Sequence, residues 1–218
     1  EIEIDASLAE LDLRPEPIPL EVVFEDDSVI VVNKPVGLVV HPGAGNPSGT
    51  LLNGLLHFDG RLARVPRAGI VHRLDKGTSG LLVVARTIES QNSLVQQLQA
   101  REVSRIYQAV VYGILRGSGK IEAAIGRHPV NRLRMAVTPS GKEAITHYRV
   151  LKGFFGHTLL ELALETGRTH QIRVHLEKIG YPIIGDTTYG GGFRMPKERD
   201  EGLAMQLRSM TRQALHAV

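Results

Sequence analysis

Hydrophobic and polar positions along the chain alternate in several short blocks with a period of two. Val22-Val23-Phe24 and Val29 to Val32, separated by Asp26-Asp27-Ser28, predict a β-hairpin that ends at Asn33-Lys34-Pro35. A Gly-, Pro- and Ser-rich loop covers 41–50, and Thr50 is placed to cap a short helix through Leu56. The unbroken apolar run Leu81-Leu82-Val83-Val84-Ala85 predicts a buried strand. Thr87 then caps a helix whose apolar stripe is Ile88, Val95 and Leu98. Strands are expected at 107–115, 121–125, 134–137, 144–151 and 157–164, mostly parted by glycine turns, as in an antiparallel meander. A helix over 169–179 shows Ile172, Leu176 and Ile179 on one face, and a last helix is expected from Glu201 to Leu215. The sum is an α+β chain with a mixed, largely antiparallel central sheet and flanking helices.

Residues 1–20, with Pro15, Pro17 and Pro19, read as an extended acidic linker, so the globular part is expected over 21–218. Residues 1–27 hold ten acids against one base, so the rest carries +12 although the whole chain carries only +3. That main body has the charge expected of a polyanion-binding protein. There is no cysteine, which excludes disulfides, thiolate catalysis and thiolate metal ligation. No apolar run approaches the length of a membrane span, and no signal peptide opens the sequence.

The stretch with most chemistry is His72-Arg73-Leu74-Asp75-Lys76-Gly77-Thr78-Ser79-Gly80, which holds one carboxylate between two cations at the mouth of a buried strand. A positioned carboxylate serves as nucleophile, base or electrostatic stabiliser; an ordinary surface ion pair explains the same residues. A second segment runs from Glu165 to His175. Arg168 sits where a helix dipole disfavours a cation, which points to a bound anion, and His170 and Arg173 are one helical turn apart. Tyr107 opens a strand, where a ring packs over a core edge or stacks on a base. Arg127, His128, Arg132, Arg134 and Lys142 form an acid-free basic ribbon suited to a phosphate backbone. His72, His170 and His175 lack metal-ligand spacing, and Gly77-Thr78-Ser79-Gly80 is not a hydrolase elbow.

Taken together these segments resemble the RluA-type pseudouridine synthases. The His72–Gly80 stretch resembles the family signature, and Val32-Asn33-Lys34-Pro35-Val36-Gly37 its first motif. Arg105 to Val110 resembles the tyrosine segment and Gly167 to His175 the arginine segment. Gly185-Asp186-Thr187-Thr188-Tyr189-Gly190-Gly191 and Arg212 to Ala217 complete the set. The resemblance implies the synthase catalytic fold, in two halves around a cleft. It implies conversion of uridine to pseudouridine in structured RNA, most of all large-subunit ribosomal RNA, by base flipping and without cofactor or metal. It implies Asp75, Tyr107 and Arg173 as catalytic residues, with Arg173 pairing with the aspartate. Arg73, His72, Arg168, His170, Leu215 and Lys34 are implied on the substrate side, Arg73 filling the gap of the flipped nucleotide and Leu215 lying beneath the base. Further expectations are a monomeric cytoplasmic protein whose partner is ribosomal RNA or an assembling large subunit. Relatives commonly carry an N-terminal S4-type RNA-binding module, which is not legible in this chain. Two rivals remain: an RNA-binding protein without catalysis, and a base-releasing glycosidase. The glycosidase needs a second carboxylate about 5–10 Å from Asp75, for which Glu165 and Asp186 are the candidates.

Overall fold

The computed structural model describes residues 13–192, 194, 201–210 and 212–218. The described chain forms two compact units. The first holds the chain up to Lys34, then Leu38–Lys76 and Leu82–Leu94; the second holds Pro35–Gly37, Gly77–Leu81 and the chain from Val95 onward.

In the first unit, β1 (Val22–Glu25) and β2 (Val29–Lys34) form the expected hairpin. Asp26 closes its turn by accepting the N–H groups of Ser28 and Val29 at 2.7 and 2.8 Å. The period of two in β2 turns Ile30 and Val32 inward, and Lys34 follows them in phase onto the buried face. Helix α1 (Leu51–Phe58) starts after Thr50, as expected, with Asn53 accepting the N–H and hydroxyl of Thr50 at 3.1 and 2.6 Å. Leu51, Leu55, Leu62, Leu82 and Val84 join Ile30 in this core with no exposed surface.

The described residues before Glu21 hold no helix or strand, and they are hydrogen-bonded to the first unit. Glu16 donates its N–H to Asn53 and accepts the Gly49 N–H, while Asn53 donates to the Arg14 carbonyl at 2.8 Å. Helix α2 (Ile88–Gln99) begins at its Thr87 cap, with the Ser90 N–H on Thr87 Oγ1 at 3.1 Å. Its apolar stripe, however, leaves Ile88 and Val95 exposed, and the residue it buries is Gln91, whose Nε2 donates to the Pro66 carbonyl at 2.8 Å.

β3 (Ser79–Ala85) runs from the second unit into the first. In the second unit its first residues pair in parallel with β10 (Leu215–Ala217), which lies antiparallel to β4 (Ile106–Tyr112). β9 (His157–Leu164), β8 (Ile145–Phe154) and β5 (Ser118–Glu122) continue the sheet, all antiparallel. β6 (Ile125–Arg127) and β7 (Met135–Val137) form a separate two-stranded arm. Helix α3 (Gln171–Lys178) packs on β7 and β8, and α4 (Glu201–Ser209) sets Leu207 against Tyr112 and Ile184. Leu215 is therefore in a strand, not at the end of the last helix: α4 stops at Ser209, and Leu215 sits opposite Ala109. Three residues make too short a strand to read locally, because its hydrogen bonds come from β3 and β4. Gly80 is required at that junction, since at φ +117° a Cβ would run into the Ala217 carbonyl.

Candidate active site

The signature loop is held from both of its ends. On the first unit, the N–H of Val83 donates to His72 Nε2 at 3.2 Å, tying the ring to β3. Leu74 is buried and anchors the turn, Arg73 is exposed, and Asp75 between Leu74 and Lys76 is half-buried. Lys34, wholly buried on β2, donates to the Leu38 carbonyl at 2.9 Å. Burial pushes its pKa down to about 8, and the negative charge of Asp75 opposes that shift. His41 feels the same local field: burial lowers its pKa first, and the charges of Arg67 and Arg73 lower it further. The loop thus sits in positive potential, with exposed Arg73 able to meet an anion.

On the second unit, the small hydroxylated residues of the signature are clamps. Gln213 Nε2 donates to Thr78 Oγ1 at 2.6 Å in a buried bond. Ser79 Oγ accepts from Arg212 at 2.7 Å and lies 2.9 Å from His216 Nδ1. These contacts fix the loop to the strand that carries Leu215 and use the serine structurally. Tyr107 and Leu215 share a sheet face: Tyr107 is opposite Ala217, and Leu215 opposite Ala109 on the same strand pair. Both are buried.

The arginine segment is built around Tyr189. His170 takes a left-handed conformation (φ 57°) just before α3, so the helix starts two residues later than its sequence predicts. Its Nδ1 lies 2.8 Å from the Tyr189 hydroxyl, which accepts the Met135 N–H at 2.9 Å. Arg173 lies with its guanidinium 4.8 Å from the Tyr189 ring centre and forks onto Asp186 at 2.7 and 3.0 Å. Asp186, itself buried, also accepts the N–H groups of Thr188 and Tyr189. In the sequence Asp186 stands out only as a glycosidase candidate and Tyr189 has no task, although both lie in one short motif, Gly185 to Gly191.

Arg168 needs no bound anion to explain its place. It lies three residues before α3, where its Nε donates to the Glu143 carbonyl at 2.9 Å. Glu165 accepts from Arg101 at 2.7 Å and meets His147 Nε2 at 2.6 Å. Both carboxylates proposed as partners for a glycosidase are therefore engaged in ion pairs or hydrogen bonds. His175 is buried with Nε2 on the Ala123 carbonyl and Nδ1 on Thr146, and burial lowers its pKa. Among the described residues no cluster of His, Asp or Glu is arranged to hold a metal.

The sequence pattern that defines RNA pseudouridylate synthases matches residues 28–178, which include the signature loop, the tyrosine strand and the arginine helix. The chain belongs to the RNA pseudouridylate synthase family. Within that family it is 58% identical over 206 residues to ribosomal large subunit pseudouridine synthase D of Xylella fastidiosa, covering 94% of this chain and 62% of that protein. The same-named protein of Pseudomonas aeruginosa is 58% identical over 200 residues, covering 92% of this chain and 62% of the relative. That of Escherichia coli K12 is 53% identical over 218 residues, covering 100% of this chain and 67% of the relative. The chain thus spans about three fifths to two thirds of the length of these relatives. Among solved structures, human RNA pseudouridylate synthase domain containing 1 matches with a TM-score of 0.69 at 28% identity, covering 91% of this chain and 76% of that one.

Proposed function

We propose that the chain, as a catalytic domain over 21–218, converts uridine to pseudouridine in structured RNA, and that the RNA is large-subunit ribosomal RNA. The observation that carries this reading is the half-buried Asp75, placed by an anchored turn and close enough to the wholly buried Lys34 for its charge to act on the lysine. The relatives named for large-subunit pseudouridylation support the choice of RNA.

The reaction asks for no added atoms. The N1–C1′ bond of uridine breaks, a C5–C1′ bond forms, the C5 proton leaves and N1 gains one. A base in a stem must first leave the stack, at a cost of a few kcal/mol. Arg73 is exposed beside Asp75 and is suited to fill the gap. Tyr107 and Leu215, on one face of the sheet, provide a ring and an apolar floor for uracil without reading sequence. Lys34 and His72 set the loop. Arg173, oriented by Asp186 and Tyr189, supplies the cation of the arginine segment, with His170 and Arg168 at its edge. No described helix is long and apolar enough to cross a membrane.

The test is incubation with large-subunit RNA tritiated at uracil C5. Tritium release without free uracil supports isomerisation. Free uracil would make the protein a glycosidase, and RNA binding without release would make it a non-catalytic RNA-binding protein.

A further inference from the structure

The arm made by β6 and β7 carries a loop whose order and exposure pull in opposite directions. His128 Nδ1 accepts the N–H groups of Val130 and Asn131 at 3.2 and 3.0 Å, and Asn131 accepts the Leu133 N–H at 3.0 Å. Arg127 donates to the Arg132 carbonyl at 3.0 Å, and the Arg134 N–H returns to the Asn131 carbonyl at 3.0 Å. A loop pinned this way has already lost most of its conformational entropy. Yet it displays Val130 and Leu133 at 86% and 87% exposure, more than any other large hydrophobic side chain described. Neither contributes burial to the fold. The arm is also fastened at its base to the arginine segment, through the Met135 N–H on the Tyr189 hydroxyl and the Arg134 guanidinium 5.0 Å from the Tyr189 ring centre.

We propose that this arm is an RNA wedge, in which Val130 and Leu133 pack against unstacked bases of a loop or bulge while the flanking cations hold the phosphates. This rests on the RNA reading of the site. From 123 to 142 the chain has no acid and carries Arg127, Arg132, Arg134 and Lys142, so its charge complements a polyanion. Aliphatic tips fit the gap opened between bases, as apolar wedges do in nucleic-acid grooves, and RNA offers such bases in its loops and bulges.

The experiment uses the whole chain and two labelled RNAs: a large-subunit stem–loop with a bulge, and a fully paired duplex of equal length. The Val130→Ser, Leu133→Ser double variant keeps the loop's hydrogen bonds, which come from the backbone, His128, Asn131 and Arg127. Its thermal midpoint is expected to match the parent's. Affinity for the bulged RNA should fall about tenfold, as expected for two partly buried aliphatic side chains. Its salt dependence should not change, and duplex binding should hold. Arg132→Gln should instead weaken both RNAs and reduce the salt slope by about one. Unchanged affinity of the double variant for bulged RNA would overturn the proposal, as would equal weakening on the duplex. Self-association of the parent that the double variant abolishes would also overturn it, by assigning the tips to a second copy. Absence of C5 tritium release by the parent counts against the proposed reaction alone, because the binding comparison does not depend on turnover.

Discussion

Asp59 and Asp75 belong to the same unit, and their surroundings put them to opposite uses. Asp59 is buried and receives Arg61 through Nε and Nη2 at 2.9 and 2.8 Å and Arg86 through Nε and Nη2 at 3.2 and 3.0 Å. Those guanidinium bonds, Arg61 first, hold its carboxyl well below the usual carboxylate range against the opposing effect of burial. Arg86 also reaches Glu25 and the Asp26 carbonyl, so the group ties β1 to the turn after β3. Asp75 is half-buried on a loop and feels a lysine that is itself buried at an energetic cost. A planar, always charged guanidinium fork makes a stable joint. A lysine with a depressed pKa makes a tunable field beside a reactive group. Asp186, forked by Arg173 and capped by two backbone N–H groups, follows the pattern of Asp59.

Breaking the fork at Arg173 is expected to have the largest effect short of changing Asp75. Arg173→Ala should lower turnover about 10³-fold and, by leaving Asp186 buried and unpaired, lower stability by about 3 kcal/mol. RNA affinity, read by filter binding at a temperature where the variant is folded, should survive. Equal loss of binding and turnover would make Arg173 a phosphate contact. Lys34→Met should lower turnover about 10²-fold, and the parent should show a descending limb in kcat/KM with a midpoint of about 8. The sign follows from lysine losing its proton as pH rises, which removes the cation beside Asp75. In stability the same group acts the other way. The fold disfavours its charged form, so unfolding free energy should rise between about pH 8 and the normal lysine range.

Asp59→Asn should leave turnover within about twofold while lowering stability by about 2–3 kcal/mol, or roughly 5–10 °C in Tm. Because the folded pKa of Asp59 is depressed, its contribution is present above the unfolded value near 4 and is lost as pH falls through the folded one. The gap in stability between parent and variant should therefore close in acid. Thr78→Val, which leaves Gln213 without its buried partner, should cost about 1–2 kcal/mol and slow turnover only modestly. A loss as large as that at Arg173 would make Thr78 part of the chemistry.

Much of this was legible in the sequence where local rules decide. The first hairpin, the Thr50 and Thr87 caps and the β8–β9 pair follow from alternation and capping residues. Long-range pairing hid the rest. β10 exists because β3 and β4 flank it. The stripe on α2 misled because an amide met a buried carbonyl while two aliphatics stayed in water. The dipole argument for Arg168 assumed a helix beginning beside it, whereas His170 delays the start and Glu143 offers a carbonyl. In the site, the signature loop and the arginine segment were found from their unusual charge. Tyr189, the residue that joins His170, Arg173 and the basic arm, was hidden because nothing local distinguishes a buried hub tyrosine from a packing one.

The contrast between the two aspartates is tested most directly by one assay on two conservative variants. Asp75→Asn and Asp59→Asn are assayed beside the parent for tritium release from C5-labelled large-subunit RNA, at a temperature where circular dichroism shows all three folded. Asp75→Asn should release no tritium above background, a loss of at least about 10³-fold, with its Tm unchanged, while Asp59→Asn should release tritium at nearly the parental rate. Release by Asp75→Asn at a rate comparable to the parent's would contradict the account.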